Sequence, residues 1–578
     1  MASAAHTRGR PVVAAEAFSA WPKESSWREH PGALKRLADA AFCEGVNQLV
    51  LQSHALQPWL NRQPGMTFGH WGLHYDRNQT WWEQSKPWHE YLARCQFLLQ
   101  RGRAVADVCY LVAEGGFAEL PTRDRLAVPM PAGRDYDLVS PAVVMAGMTV
   151  QKGRLTLPSG ANYQLMVLPP GETMTLPLLQ KLGELVRAGA TIIGTRPQRS
   201  PSLADQFSGA DAVRRLADEL WGDCDGRTAK ERRLGLGRIV AGKSLEEIFK
   251  ESATPLDFLP AKNLPEAPLR FVHRTDADAD LYFVANPNAN AISVDCRFRV
   301  TGRQPELWNP ESGQIEPIAY WAEQGNVTSV PLSLGPVGST FIVFRKPAAD
   351  RLLSVSRNGK ELPPCPVTLT EAGRPKLDAT EAGNYVFRMA SGKVLRAQAG
   401  PVPPPIAIRG PWDLSFPPGW GAPDHVRLNT LISWSEHPDP GVRYFSGTVR
   451  YAKRFEMPAD QFAAQRRWFL DLGMVEVIAV VKLNGQDLGV LWKPPFRTEL
   501  TPHLRTGENL LEIQVINRWP NRLIGDEQMP ADCRWAEDGV DQPLAEWPSW
   551  LKSGERRPSG RFTFTTWKHW RKDSSLLS

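Results

Sequence analysis

"GRPVVAAEAF", residues 9–18, decides how the rest of the chain is read. Val12 to Glu16 is a short apolar run that ends on a carboxylate. Strands buried on both faces of a parallel sheet are apolar almost throughout, so the run predicts a strand in the middle of such a sheet. The residues that follow supply the rest of a parallel unit. "HPGALKRLADAAFCEG", residues 30–45, sets Leu34, Leu37, Ala38 and Ala41 at helical spacing and leaves through Gly45, a good helix-ending residue. "VNQLVLQSHALQ", residues 46–57, predicts the next strand, and "PWHEYLARCQFLLQRG", residues 87–102, a helix with Pro in its first turn. Between the last two lies a loop dense in aromatics and amides, "PWLNRQPGMTFGHWGLHYDRNQTWWEQ", residues 58–84. This strand–helix–strand–loop–helix order belongs to a parallel α/β fold.

Composition narrows the possible functions. The 578 residues allow roughly three to five domains. Apolar residues make up 42% and charged residues 22%, an ordinary globular balance. The net charge of +6 is spread over 68 basic and 62 acidic residues, and "RRPSGR" and "WKHWRK" are too short to form a nucleic-acid footprint. No run of 18 apolar residues predicts a membrane span, and "MASAAHTRGRP" lacks the apolar centre of a signal peptide. The seven Cys are dispersed and lack C-x-x-C spacing, which argues against a disulfide framework or a zinc site. No H-E-x-x-H, G-x-S-x-G or Walker pattern occurs. The 21 Trp stand out. Each is either a core filler or part of a surface that stacks on a flat partner such as a sugar ring.

Later segments change character. Residues 104–260 continue in α/β style with "VADVCYLVAEG", "YQLMVLPPG" and "ATIIGTRP" as strands, and predict a flavodoxin-like doubly wound domain without a phosphate-binding fingerprint. Residues 261–347 turn to period-two segments and predict a β-sandwich. Residues 348–404 read as an irregular region with the Pro-rich linker "AGPVPPPIAIRG". Residues 405–578 are again β-rich, with Asn484-Gly485 in "LNGQDLGVLW" as a strong hairpin signal.

Chemistry is sought first at Glu16. In a (β/α)8 barrel the active-site groups lie at the C-terminal ends of the strands, and Glu16 holds that position if the run before it is a barrel strand. Otherwise it caps the next turn. Glu44 is the second carboxylate nearby, but it precedes Gly45 at a helix C-terminus, which places it toward the opposite end of the unit and against the helix dipole. His54 and Gln57 follow the second strand and so share the face of Glu16. The loop adds Trp59, Asn61, His70, Trp71, His74, Asn78, Trp81, Trp82 and Glu83. Aromatic faces beside amide and imidazole groups suit a polyhydroxylated ligand, whereas Trp81 or Trp82 also suits a packing anchor. Trp412, Trp420, Trp434 and Trp492 are candidates for a glycan-binding surface, and Asp526 and Glu527 in "IGDEQ" are either calcium ligands or a solvated turn.

Several long motifs carry a family resemblance. "AAHTRGRPVVAAEAFSAWP", "AFCEGVNQLVLQSHALQPWLNRQPGMTFGHWGLHYDRNQTWWEQ", "WHEYLARCQFLLQRGRAVADVCYL", "ISWSEHPDPGVRYFSGTVRYAKRF", "NRWPNRLIGDEQ" and "GRFTFTTWKHW" resemble the glycoside hydrolase family 106 α-L-rhamnosidases. The C-terminal β-domain is similar to the sugar-binding jelly-roll domains of family 2 glycosidases. The resemblance implies a multidomain fold. Residues 1–103 become the C-terminal part of a (β/α)8 catalytic barrel, and residues 405–578 a galactose-binding-like jelly roll. It also implies inverting, calcium-dependent release of terminal α-L-rhamnose from rhamnose-containing oligo- or polysaccharides by proteins expected in the periplasm or outside the cell. Glu16 then belongs to the catalytic centre, as general base or as a calcium ligand. His54, Trp82 and Glu83 match the loop pattern of substrate contacts. Relatives are longer, so the chain is expected to lack the earlier barrel strands and to be inactive alone. The alternative is a non-catalytic carbohydrate-binding or accessory region.

Overall fold

The computed structural model describes every residue except 22–23, 53–54, 70–72, 116–119, 204–208, 261–267, 463–465 and 578. At the start, α1 (Ala2–Thr7) leads to β1 (Ala14–Ala17), α2 (Pro31–Cys43), β2 (Gln48–Leu51) and α3 (Lys86–Leu99). The two strands pair in parallel from Ala14↔Gln48 to Ala17↔Leu51. Asn47 holds the approach to β1. Its Oδ1 accepts from the Val13 amide at 2.7 Å, and its Nδ2 donates to the carbonyls of Pro11 and Leu99 at 2.8 and 3.2 Å.

Two sequence expectations change here. The strand lies two residues later than the apolar run, so Glu16 is inside β1 rather than beyond it. Nor is it the middle of a buried sheet. Among the described residues β1 and β2 form a two-stranded sheet, and Val12 and Val50 are exposed. An apolar run reports the tendency to be covered. Here one strand neighbour covers it rather than two sheet faces.

The unit is tied to the rest of the molecule through polar contacts in its interior. Lys35 on α2, fully buried, donates to Asp39 at 2.6 Å and to Ser339 at 2.8 Å, and its ammonium lies 4.6 Å from the centre of the Tyr91 ring on α3.

The second unit is a doubly wound sheet. Tyr136–Val139, Val108–Leu111, Leu165–Val167, Thr191–Ile193 and Gly237–Val240 lie side by side in parallel, which is the order 2-1-3-4-5 along the chain, with Glu231–Leu234 antiparallel at the edge. Helices Leu176–Arg187 and Gly209–Trp221 cover one face. Helix Leu245–Glu251, opened by a Ser244/Glu247 capping box, covers the other. Two antiparallel sheets follow, of four and six strands, packed around Phe258, Tyr282, Cys296, Phe298 and Ile342.

The span expected to be irregular carries a sheet. Leu352–Arg357, Lys360–Glu361, Gly383–Met389 and Val394–Ala399 pair in antiparallel fashion over a core that includes Val355, Tyr385 and Phe387. Its first hairpin turns at Asn358-Gly359, both with positive φ. The short strands and the Pro and Gly between them hid the alternation.

The last unit is a six-stranded antiparallel sheet with a core of Trp412, Leu414, Trp434, Phe445, Val449 and Leu511. Ile478–Leu483 and Gln486–Leu491 form its hairpin at Asn484-Gly485, where both residues have positive φ, the pair of conformations a two-residue hairpin needs. The chain then returns to the N-terminal unit. Phe564–Thr565 pairs in parallel with Pro64–Gly65 of the aromatic loop.

Candidate functional site

Glu16 projects from β1 and is exposed. Ser19 Oγ donates to its Oε1 at 2.7 Å and lies 3.2 Å from Oε1 of Gln52, just past β2. The carboxylate therefore sits with hydroxyl and amide groups at the C-terminal ends of two parallel strands. The backbone bends sharply beyond it. Phe18, Ser26 and Trp27 have φ of 68°, 63° and 61°, values that cost a non-glycine residue free energy and persist where the surroundings impose them. Phe18 packs on Trp88 of α3 at 6.4 Å, and Trp27 is buried against His74 with ring centres 4.1 Å apart.

Glu44 is elsewhere. It caps the C-terminus of α2 and is exposed. The parallel register puts it at the end of β2 opposite to Glu16, so the two carboxylates do not form a pair. His54, His70 and Trp71 lie outside the described residues.

The loop residues sort by what they touch. Gln57 is a clamp within the loop. Its Nε2 donates to the Met66 carbonyl at 2.8 Å and to Asp76 at 2.9 Å, and its Oε1 accepts from the Met66 amide at 3.0 Å. Trp59 is half-buried between Trp547 and Phe564, at 6.0 and 5.7 Å. Trp81 is fully buried and donates its indole N–H to the Glu29 carbonyl at 3.0 Å, so it is a packing anchor. His74 is buried, with neither ring nitrogen hydrogen-bonded among the described residues, and burial drops its pKa to about 3. Asn78 is buried, donates to the Pro64 carbonyl at 3.1 Å, and accepts from the Trp519 indole at 2.7 Å through its own carbonyl. Trp82 is half-buried, and Glu83 is exposed beside it.

Three of the four tryptophans considered for a glycan surface are core residues. Trp412, Trp434 and Trp492 are buried, while Trp420 is half-buried against Trp519 at 5.7 Å. The calcium alternative at Asp526 and Glu527 also fails. Asp526 accepts from the Phe562 and Thr563 amides at 3.0 and 2.6 Å and pairs with Arg522 at 3.1 Å, and Glu527 pairs with Arg561 and Lys568 at 2.7 and 3.1 Å. Among the described residues no group of three or more His, Cys, Asp or Glu side chains converges as metal ligands do. The side chains at Asp526 and Glu527 are thus taken up by cations and amides rather than arranged for calcium, and no chemistry is derived through that ion.

One carboxyl group had no sequence signal. Glu29 is buried, and neither carboxyl oxygen has a hydrogen-bond partner among the described residues. Burial pushes its pKa up to about 8, against the pull of nearby backbone amides and the Arg28 and Arg518 guanidiniums. In sequence it is a charged residue just before a helix, which ordinarily marks a solvated first turn.

A solvent-facing carboxylate at the end of a parallel strand, beside a loop rich in aromatic and amide groups, is an arrangement common in proteins that act on sugars. Comparison with known proteins agrees. Residues 1–322 match the family model of glycoside hydrolase family 106, described as alpha-L-rhamnosidase, and the chain belongs to that family. A rhamnosidase from Novosphingobium sp. PP1Y superposes with a TM-score of 0.77 at 30% identity, over 100% of this chain and 47% of that one. A Formosa agariphila protein with the name "Putative beta-glucuronidase" is 28% identical over 758 aligned positions, covering 100% of this chain and 63% of the relative. The chain thus spans between about half and two thirds of the length of the relatives it matches.

Proposed function

We propose that this chain carries part of the active centre of an α-L-rhamnosidase, a hydrolase that releases terminal α-L-rhamnose from rhamnose-containing glycans. The observation that carries the reading is the position of Glu16. In a chain of this family it is an exposed carboxylate at the C-terminal end of a parallel strand, oriented by Ser19.

Glycoside hydrolysis with inversion uses two carboxyl groups about 6.5 to 9.5 Å apart, one protonating the leaving oxygen and one taking a proton from the attacking water. Glu16 has the exposure the second role needs: a water molecule can reach its free oxygen while Ser19 holds the other. Glu44 cannot be the partner acid, since it lies at the far end of β2. The proton donor for the leaving group is therefore a group other than Glu44. Half-buried Trp59 and Trp82 are the loop's sugar-facing aromatics. Gln57, Trp81 and His74 support the loop from within.

The test is release of nitrophenol from p-nitrophenyl α-L-rhamnopyranoside, beside Glu16→Gln, Glu44→Gln and the β-D-glucuronide named by the Formosa relative. With the rest of the active centre supplied, activity on the rhamnoside is expected to fall by roughly 10²- to 10⁴-fold in Glu16→Gln, the usual contribution of a general base, and to be unchanged in Glu44→Gln. Activity that survives Glu16→Gln, or that prefers the glucuronide, overturns the reading. Sugar binding without turnover in any form favours the non-catalytic, carbohydrate-binding alternative, which the aromatic loop supports.

A further inference from the structure

The segment that leaves Glu16, residues 18–30, runs from the C-terminal end of β1 to the N-terminus of α2. It therefore lies on the face of the parallel unit that carries the carboxylate. A connection of this kind ordinarily runs over the surface. Here Ser25, Ser26, Trp27 and Glu29 are buried. The backbone is also strained. Nine non-glycine residues have positive φ among the described residues, and Phe18, Ser26 and Trp27 are three of them. Two adjacent residues in the left-handed region, neither of them glycine, keep that conformation where contacts outside the segment over-determine it.

Those contacts come from the other end of the chain. The Nδ1 of His569 lies 3.3 Å from the Ser26 hydroxyl, and the His569 and Trp27 rings meet at 5.1 Å and 85°. With His74 stacked on it, Trp27 thus packs against two imidazoles. Asp541 Oδ1 is 3.4 Å from the same His569 nitrogen. A carboxylate there favours a proton on Nδ1, which makes His569 the donor and Ser26 Oγ the acceptor. Asp541 is a fourth of the nine positive-φ residues, at 60°. Strain therefore gathers on both sides of one buried imidazole. The short antiparallel pairing Gln542↔Lys568 and Pro543↔Trp567 leads straight into His569, and the next residue, Trp570, lies under the Arg28 guanidinium at 4.7 Å.

The grip reaches Glu16 through the segment itself. The amides of Glu24 and Ser25 donate to the Trp21 carbonyl at 2.9 and 3.0 Å, which ties the held end to the residues just after Ser19. Ser19 Oγ in turn donates to Glu16 at 2.7 Å. A hydroxyl orients a carboxylate only as well as its own backbone is fixed. We propose that His569 is a positioning residue for the active centre: by holding Ser26 and Trp27 in their left-handed conformations, it fixes the segment whose Ser19 orients Glu16. The C-terminal segment then serves the site mechanically, without touching substrate. The consequence for turnover rests on the reading of Glu16 as a catalytic carboxylate, while the positioning does not.

The test follows Glu16 directly and needs no turnover. The full chain is labelled with ¹³C at the glutamate side-chain carboxyl carbons, and the Glu16 resonance is assigned by its loss in Glu16→Gln. Ser19→Ala marks the position of a carboxylate that is no longer oriented. His569→Ala is expected to move the Glu16 resonance toward that position. It is also expected to raise amide exchange in residues 18–30 by about tenfold, the factor for losing roughly one hydrogen bond. His569→Asn keeps a donor near the place of Nδ1 and is expected to restore most of both readouts. Trp434→Ala weakens the core of the C-terminal sheet and is expected to lower the melting temperature without moving the resonance, which separates positioning from lost stability. Ser26→Ala removes only the hydroxyl that meets His569, and takes the place of His569→Ala if that variant does not fold. A Glu16 resonance that stays still in whichever of the two is folded overturns the proposal. So does a displacement of equal size in Trp434→Ala, or none in Ser19→Ala. Hydrolysis that survives Glu16→Gln, with the resonance displaced as expected, removes the catalytic reading and leaves the positioning.

Discussion

The imidazole Nδ1 of His273 lies 3.0 Å from Oδ1 of Asp257, and both side chains are buried. The other ring nitrogen, Nε2, is 3.2 Å from Asp280. Two ring nitrogens that each face a carboxylate both carry protons, so the group is an imidazolium. Tyr282 donates to Asp257 at 3.0 Å and stacks on His273 at 3.9 Å. Arg299 joins Asp257, at 3.2 Å, to Asp107, at 3.0 Å, and Arg134 binds Asp107 at 2.5 Å. Asp107 introduces the first strand of the doubly wound sheet, so this network fastens that unit to the antiparallel sheets behind it.

The network makes this junction sensitive to pH. Burial draws the pKa of His273 down, but the charge and hydrogen bonds of Asp257 and Asp280 outweigh it, and the net shift from 6.5 is upward. Burial pushes Asp257 up, but His273, Arg299 and Tyr282 bring it below 3.8. For a raised histidine, the stabilisation is whole below the unfolded value and is lost as pH rises through the folded one. For a lowered aspartate, it is present above the unfolded value and is lost as pH falls through the folded one. Stability at this junction is therefore expected to be highest from about pH 4 to 6.5 and to decline above that range. His273→Gln removes one of the two cations that face the buried Asp257, leaving Arg299, and is expected to cost about 3 to 5 kcal/mol. Thermal unfolding measured across pH decides the matter. If the two proteins decline in parallel above neutral pH, the imidazolium assignment is wrong.

Glu29 gives a second, separable pH effect. Its folded pKa of about 8 lies above the unfolded 4.5. A raised carboxyl group contributes fully below the unfolded value and loses that contribution as pH rises through the folded one. Stability is then expected to fall between those two values by up to about 1.4 kcal/mol per pH unit. Glu29→Gln keeps the shape of the protonated acid and has no charge to acquire. The variant is expected to unfold like the wild type near pH 4.5 and to be the more stable of the two near pH 8. Denaturant midpoints at the two pH values check this, and equal midpoints at the higher value count against a buried neutral carboxyl.

Local patterns were legible in the sequence where the chain's own neighbours decide the structure. The parallel pair β1 and β2, the hairpin at Asn484-Gly485 and the alternating strand and helix of the doubly wound unit all follow from spacing and turn chemistry within about 40 residues. What the sequence hid depends on partners far along the chain. The neutral state of Glu29 comes from burial that overrides the pull of Arg518, a neighbour almost 500 positions away. Gln57 and Trp59 look alike as polar and aromatic loop residues, yet Gln57 ties the loop to itself while Trp59 meets Phe564 from the C-terminal segment. Within the candidate site, Glu16 could be singled out by its place at a strand end. The division of the loop tryptophans into anchor and surface could not, because Trp81 and Trp82 are adjacent and differ only in which side of the turn meets the core.

Trp434 illustrates the same division in the C-terminal sheet. It is buried against Phe416 and Phe445, at 6.1 and 5.7 Å, and its indole donates to the Tyr451 hydroxyl at 2.5 Å. Trp434→Ala is expected to destabilise this unit by about 3 to 5 kcal/mol, the usual cost of emptying a core aromatic site, and to leave sugar binding by the folded fraction unchanged. Isothermal titration with a rhamnoside below the melting transition, set beside thermal unfolding, separates the two effects. A variant that melts normally but loses sugar binding would return Trp434 to the surface role.

Asp526 joins the helix Pro520–Asp526 to the returning C-terminal segment. One of its oxygens accepts from two amides and the Thr563 hydroxyl, the latter at 2.6 Å, and the other pairs with the buried Arg522. The next residue, Phe564, pairs with Pro64 of the aromatic loop. Asp526→Ala leaves an arginine charge and three donors without their acceptor, so a loss of about 3 to 5 kcal/mol is expected. The loss should begin locally. Amide exchange should rise at residues 562–565 and at residues 64–67 before the doubly wound sheet is affected, because the loop is held from that side. Calcium is expected to leave the melting temperature of either protein unchanged, since Arg522, Arg561 and Lys568 already neutralise Asp526 and Glu527. A calcium-dependent rise in the wild type that vanishes in Asp526→Ala would assign these two acids to a metal after all, and the C-terminal segment would then be held by an ion rather than by arginine.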